Sequence, residues 1–406
     1  MLSRVKLAIV ISSTLLTAVL VIGAVMGENS PNEGAYRQIQ VYTEVLGKIK
    51  SDYVEEPDIR QVTRGALQGL LEALDPNSCY LTAEQWKEYE RRKGGQPGTV
   101  GLVVSKRFGY VLILTTLPGS SAARAGLSAG DLLEAVDTKA TRDLPLALLE
   151  TMLSGPVGSS VTVVLRRSKR AEVPQELTLT RETVPMPPVT HRLLPDKVGH
   201  MEVRALTPGK AVEAARALKE LEEQGAERLV LDLRNDAVGD QQEALRLANL
   251  FIDNGLLAYL QGQKFPRKDF NADPRQTAWK LPVVVITNRA TAGPAELVAA
   301  AILDRQRGQV VGEKTFGVGA EQKTIPMDDG AAIILSVAKY YRPSGKAIQD
   351  GGIQPSLTVS ESETDLSSEE ENAPPERTPA EKGPQEDELL KKAIEVVKGA
   401  AVRAAA

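Results

Sequence analysis

Cysteine is almost missing from this chain of 406 residues: Cys79 stands alone, which excludes an intramolecular disulfide framework and any cysteine-based zinc site. Histidine is nearly as scarce, and His191 and His200 cannot supply a histidine-rich metal cluster. No metal and no cofactor is expected. Neither sign of charge dominates; at a formal net charge of −4 the chain carries no electrostatic footprint for nucleic acid. Serine is absent between Lys264 and Leu335, which bears on the chemistry below. The length suffices for two or three domains, each with its own core.

Long apolar runs are also rare, with one exception at the N-terminus. Arg4 and Lys6 precede an uncharged stretch from Leu7 to Met26, followed by the polar Gly27-Glu28-Asn29-Ser30. A basic start before a run of bilayer length reads as a cleaved signal peptide or a retained anchor. The run is long for a signal core and lacks a clean small-x-small cleavage site, which favours an anchor. The positive-inside rule then leaves the basic end cytoplasmic and the rest of the chain exported. The expected location is the bacterial periplasm or envelope, anchored to the inner membrane.

From Tyr36 to Arg92 the spacing predicts helices. Tyr42, Val45, Leu46 and Ile49 recur at helical intervals, as do Val62, Ala66, Leu67, Leu70 and Leu71. Asp75-Pro76-Asn77-Ser78 marks a turn, and Thr82 to Gln85 a capping-box start. On these grounds the region is a helix–turn–helix packing unit without chemistry. Gly94 to Gly98 forms a flexible junction. Short strands follow, at Val100 to Val104, Val111 to Thr115, Leu132 to Val136, Val161 to Leu165 and Leu177 to Thr180, with a helix over Leu144 to Leu153.

Beyond Val198 strands alternate with helices. Strands are expected at Val198 to Val203, Arg228 to Leu233, Val283 to Thr287, Val310 to Gly312 and Ala332 to Val337. Helices fall between them at Lys210 to Glu223, Glu243 to Asn254 and Ala295 to Arg305. Continuous apolar strands alternating with amphipathic helices indicate a layered α/β core. Ser360 to Asp387 is rich in Glu, Ser and Pro, the composition of a disordered linker, and Leu389 to Val397 is a short amphipathic stretch suited to docking back or binding a partner.

Several motifs together resemble one family. Asn288-Arg289-Ala290-Thr291-Ala292-Gly293-Pro294-Ala295-Glu296-Leu297 is followed by Gly312-Glu313-Lys314-Thr315-Phe316-Gly317-Val318-Gly319-Ala320-Glu321-Gln322. Leu74-Asp75-Pro76-Asn77-Ser78-Cys79-Tyr80-Leu81 and the run from Lys339 to Pro355 add to the match. The chain resembles the C-terminal processing peptidases, or tail-specific proteases, and the resemblance covers about Tyr36 to Val359. Ala122 to Asp131, with its Ala-Gly-Leu-x-x-Gly-Asp pattern, resembles part of a PDZ domain. The resemblance implies a multi-domain α+β fold. Its parts are a membrane segment or signal peptide (1–30), a helical N-terminal region (36–93) and a PDZ domain (98–184). A protease-like α/β core of the ClpP/crotonase type (190–359) and an acidic tail with a short terminal helix (360–406) complete it.

The resemblance also implies site residues. The family's first motif, Gly-Ser-Ala-Ser-Ala-Ser-Glu, ends in the nucleophile, and its second, Lys-Thr-Phe-Gly-Lys-Gly-x-Val-Gln, contains the lysine base. Alignment on Glu296 puts Ala295 at the nucleophile, and alignment on Phe316-Gly317 puts Val318 at the base, 23 positions on, while Gln322 is retained. A methyl group cannot attack a carbonyl, and an isopropyl group cannot accept a proton. The oxyanion region falls on Val238, Gly239 and Ala295; Asp232-Leu233-Arg234-Asn235-Asp236-Ala237-Val238-Gly239 lacks the Pro and first Gly of the family's turn. Val100, Gly101 and Leu102 correspond to the loop whose N–H groups receive a peptide carboxylate, with the ligand added as an extra strand.

The residues leave three readings open. The first is a catalytically impaired pseudoprotease that binds C-terminal peptides through its PDZ domain and serves an active paralogue or other envelope proteins. The second is an active serine-type endopeptidase processing the C-termini of exported proteins through a displaced Thr291–Lys314 pair. The third is a structural envelope protein.

Overall fold

The computed structural model describes residues 33–93, 98–167, 173–360 and 387–404. The apolar stretch Leu7 to Met26, most of the Gly94 to Gly98 junction and nearly all of the acidic stretch from Ser360 lie outside them. No helix among the described residues is long and apolar enough to cross a membrane. Two compact units are present, one ending at Leu67 and the other beginning at Gln68. The first holds helix α1 (Glu33–Asp52) and the start of α2 (Ile59–Glu72). On α1, Tyr36, Ile39 and Val45 are exposed.

In the second unit the expected helical region contains a strand. After the Asp75 turn, whose carboxylate accepts the Asn77 and Ser78 N–H groups (2.9 and 2.8 Å), β1 (Cys79–Leu81) pairs antiparallel with Ile334 to Ala332. A run of three residues is too short for periodicity to reveal; its partner, more than two hundred residues away, makes it a strand. The capping box then forms as expected. Thr82 N–H donates to Gln85 and Gln85 N–H to Thr82 Oγ1, opening α3 (Ala83–Lys93).

A six-stranded antiparallel sheet follows: β2 (Leu102–Arg107), β3 (Tyr110–Thr116), β4 (Leu132–Val136), β5 (Ser160–Arg166) and β6 (Gln175–Thr180), in that spatial order, with the two-residue strand Lys139–Ala140 paired to the end of β4. Helix α4 (Leu146–Leu153) packs on it, burying Leu146, Leu149 and Leu153 against Val104, Ile113 and Val163. Among the described residues β2 pairs only with β3, so one of its edges is open.

The core sheet runs β7 (Thr190–Leu194), β8 (Val198–Glu202), β9 (Arg228–Asp232), β12 (Val283–Thr287), β13 (Gly308–Gly312) and β16 (Leu357–Thr358), parallel except for β7. Leu229, Leu231, Val283 and Val285 face α5 (Lys210–Glu223), α6 (Gln241–Asn249) and α7 (Pro294–Asp304), while the alternating Val230, Val284 and Ile286 face the opposite side. There α8 (Glu388–Ala404) covers them with Leu389, Leu390, Ala393 and Val397. The tail segment read from sequence as a short amphipathic stretch is thus a longer helix that completes the core. Both faces of these strands are buried, which is why they read as unbroken apolar runs.

The second sheet of this region is built on the long β15 (Ala332–Tyr341), which pairs with β1, β14 (Ala320–Pro326) and β10 (Leu256–Gln261), with β11 (Lys268–Asn271) at the edge beyond β10. Sequence reading missed β7, β10, β11, β14 and β16. Leu81 is fully buried where β1 meets the antiparallel domain. Leu81→Ala is expected to lower stability by about 2–4 kcal/mol through the cavity it leaves, seen as a lower urea midpoint with an unchanged slope.

Candidate active site

The site is organised around α7. Its N-terminus forms because Gly293 takes a positive φ of 61° and Pro294 occupies the first helical position, where its missing N–H costs nothing. Pro294 to Ile302 is buried all round, and Glu296 is the one charged residue among these apolar neighbours. Its carboxyl oxygens accept the N–H groups of Gly293 (2.9 Å), Gly317 (2.8 Å) and Val318 (2.7 Å), and the Thr315 hydroxyl. Thr315 Oγ1 in turn accepts Ile353 N–H at 2.7 Å. One residue along, Gly319 N–H donates to Gln349 Oε1 at 2.8 Å. Three consecutive amides, 317 to 319, are therefore held by side chains, whatever the side chain at 318.

This clamp brings the two motifs together. Position 318 is tied by its own N–H to the residue that follows Ala295. Ala295 is fully buried, and Val318 borders a cavity of about 430 Å³. Burial pushes the Glu296 carboxyl up to about 7, although its four hydrogen bonds pull the other way.

The turn after β9 lies beside α7: Ala292 N–H donates to the Asp236 carbonyl at 2.9 Å, and the Asn288 side chain accepts the Asn235 backbone N–H at 3.1 Å and donates to Asn235 Oδ1 at 2.9 Å. Gly239 has φ of 144°, and a β-carbon there would meet the Leu206 backbone, so glycine is required. Val238 does not enter the left-handed region; its carbonyl accepts Leu206 N–H at 2.7 Å, and its N–H reaches Asp236 Oδ1 at 3.4 Å. Burial raises the Asp236 carboxyl well above the usual carboxylate range.

Thr291 and Lys314 do not meet. Thr291 is fully buried, its hydroxyl donating to the Leu233 carbonyl at 2.9 Å, whereas Lys314 is exposed. The Thr291 hydroxyl is committed to holding the β9 turn, as its place between two buried loops dictates. Gln322 is exposed and donates to the Asn77 carbonyl at 2.8 Å. It ties the second motif to the Leu74–Leu81 segment, so that segment borders the site through Pro76 and Asn77 instead of lying apart from it.

In the Val100–Leu102 loop, Gly101 takes φ of 78°, and its N–H donates to Thr99 Oγ1 at 3.0 Å; Val100 N–H reaches the Leu153 carbonyl at 3.3 Å. A carboxylate arriving there competes with these two internal acceptors. Sequence reading did not identify Glu296 as a clamp, nor Gln349 or Arg107 as site residues. A lone acid within an all-apolar helix start was the available signal for the first. Arg107 donates to the Phe316 carbonyl at 3.3 Å, a contact that only the fold discloses.

Glu296→Gln replaces one acceptor by an amide donor facing two N–H or hydroxyl donors. It is expected to cost about 2–4 kcal/mol, since buried unsatisfied groups cost about 1–3 kcal/mol each. Glu296's folded pKa, about 7, is raised above its ordinary 4.5, so its contribution is full below that value and is lost as pH rises through 7. The penalty in denaturant unfolding should accordingly be larger at pH 5.5 than at pH 8.

Comparison with known proteins agrees with this architecture. The model of Peptidase family S41 matches residues 197–359, and that of the PDZ domain residues 113–167. A carboxyl-terminal-processing protease of Synechocystis sp. is 34% identical over 319 residues, 77% of this chain and 74% of that protein. Carboxy-terminal processing protease CtpA of Bacillus subtilis is 28% identical over 354 residues, covering 87% and 75% of the two chains. Among solved structures, the photosystem II D1 C-terminal processing protease superposes with a TM-score of 0.64 at 27% identity, across 79% of this chain and 92% of that one. With its PDZ domain and S41 core, the chain belongs to the C-terminal processing peptidase family.

Proposed function

We propose that this protein is a catalytically impaired, peptide-binding member of its family, exported and held at the inner membrane by its N-terminal segment. The observation that carries the reading is the contrast between frame and contents. Glu296 and Gln349 hold the backbone of 317 to 319, while the side chains at 295 and 318 are a methyl and an isopropyl group. A serine–lysine protease needs a hydroxyl and a neutral amine within hydrogen-bond reach. The buried, committed Thr291 hydroxyl and the exposed Lys314 amine speak against a displaced pair.

A scaffold kept without its reactive groups suits binding. The PDZ domain supplies an open sheet edge for an extended C-terminal peptide, and the partner served is an active paralogue or another envelope protein. Function follows the site and not the fold.

The test compares the full chain with the double variant Ala295→Ser, Val318→Lys on an unstructured fluorescent polypeptide. The natural chain is expected to show no turnover above background, and the double variant to gain at least ~100-fold, in line with one positioned general base. Turnover by the natural chain that vanishes in Thr291→Ala or Lys314→Ala would overturn the proposal. If the double variant stays silent, adding Val238→Gly asks whether the β9 turn is a further defect.

A further inference from the structure

The hairpin joining β2 to β3 breaks a local rule. Arg107 pairs with Tyr110, and the two residues between them, Phe108 and Gly109, both have positive φ, 52° and 77°. That is a type I′ turn, in which Asn-Gly is the favoured pair. Phe108 is a bulky residue in a conformation disfavoured for any β-carbon, and it is 90% exposed, so no packing offsets the strain. Such conflicts between local preference and structure concentrate at functional positions.

The tip is also anchored towards the site. The Arg107 guanidinium lies over the Phe316 ring, 4.7 Å from its centroid, and donates to the Phe316 carbonyl. The Arg142 guanidinium lies 5.7 Å from the centroid of the half-exposed Tyr110 ring. Ser105, Arg107, Phe108 and Gly109 share the 430 Å³ cavity with Val318 and Gln349. Strand β2 thus leads from the Val100–Leu102 loop to Phe108, and Phe108 and Val318 line the same cavity.

We infer that the hairpin tip grips an apolar side chain of an extended polypeptide about six to eight residues from its carboxyl terminus, at the ~3.3 Å per residue of a strand. This rests on the peptide-binding reading above. A peptide added antiparallel to β2, its carboxylate at the loop, spans the six residues Leu102–Arg107 and about 20 Å before reaching Phe108. The ligand class is an extended chain with a free carboxylate and an apolar or aromatic residue upstream; a short peptide reaches only the loop.

Fluorescence anisotropy with the full chain tests this. The probes are alanine–serine peptides ending in leucine: one of four residues, one of nine with phenylalanine seventh from the end, its serine counterpart, and an amidated form of the phenylalanine nonapeptide. The phenylalanine nonapeptide should bind at least fivefold more tightly than the other three. Phe108→Asn should erase its advantage over the serine peptide while leaving the melting temperature equal or higher, because Asn-Gly suits the turn. Phe108→Leu should keep most of that advantage. Equal affinity for the four- and nine-residue peptides, or an advantage undiminished in Phe108→Asn, overturns the inference and leaves peptide binding standing. No binding of any probe overturns both.

Discussion

The Glu296 carboxyl is the interaction on which the site depends. A fully buried acid in the first turn of α7 gathers three backbone N–H groups and a hydroxyl from two loops that are distant in sequence. Burying such a group is costly unless its lone pairs are satisfied, and here each oxygen accepts two donors. The result fixes the start of α7 against the 315–318 loop. Gln349 extends the same hold to residue 319. None of these bonds uses the side chain of residue 295 or 318, so the frame can persist while those positions change.

The surrounding layers hold that clamp in place. The remote end of α7 is pinned by Asp304, whose carboxylate pairs with Arg342 and accepts Ser344 N–H at 2.9 Å. The core sheet under α7 is closed on its other face by α8, whose preceding residue Asp387 pairs with Arg234 at 2.7 Å. Arg234 also grips Asp232 at the end of β9; against the cost of burial, His200 and Arg234 hold the Asp232 carboxyl below the usual range, and Arg234 does the same for Asp387. The tail helix and the turn beside the site are thereby linked through one guanidinium.

Leu81 and Arg107 both tie the antiparallel domain to this frame. Leu81 of β1 is shared between its core and the sheet of β15, and Arg107 reaches the Phe316 carbonyl beside the clamp. A ligand lying along β2 would therefore touch a strand already bonded to the site's own loop.

Much of this was legible in the sequence. The strand at Leu132–Val136, the strand at Val283–Thr287 and the helix at Lys210–Glu223 have the bounds that periodicity assigns them, because their burial pattern is written in neighbouring residues. The aliphatic residues at 295 and 318 were equally plain from the motifs. The tertiary structure alone decided the rest: that Cys79–Leu81 is a strand, that the tail helix completes a core, that Glu296 joins two motifs, and that Gln322 turns to Asn77. Each of these is a pairing between residues far apart in the chain, and a local pattern records what a residue prefers but not which distant group comes to meet it.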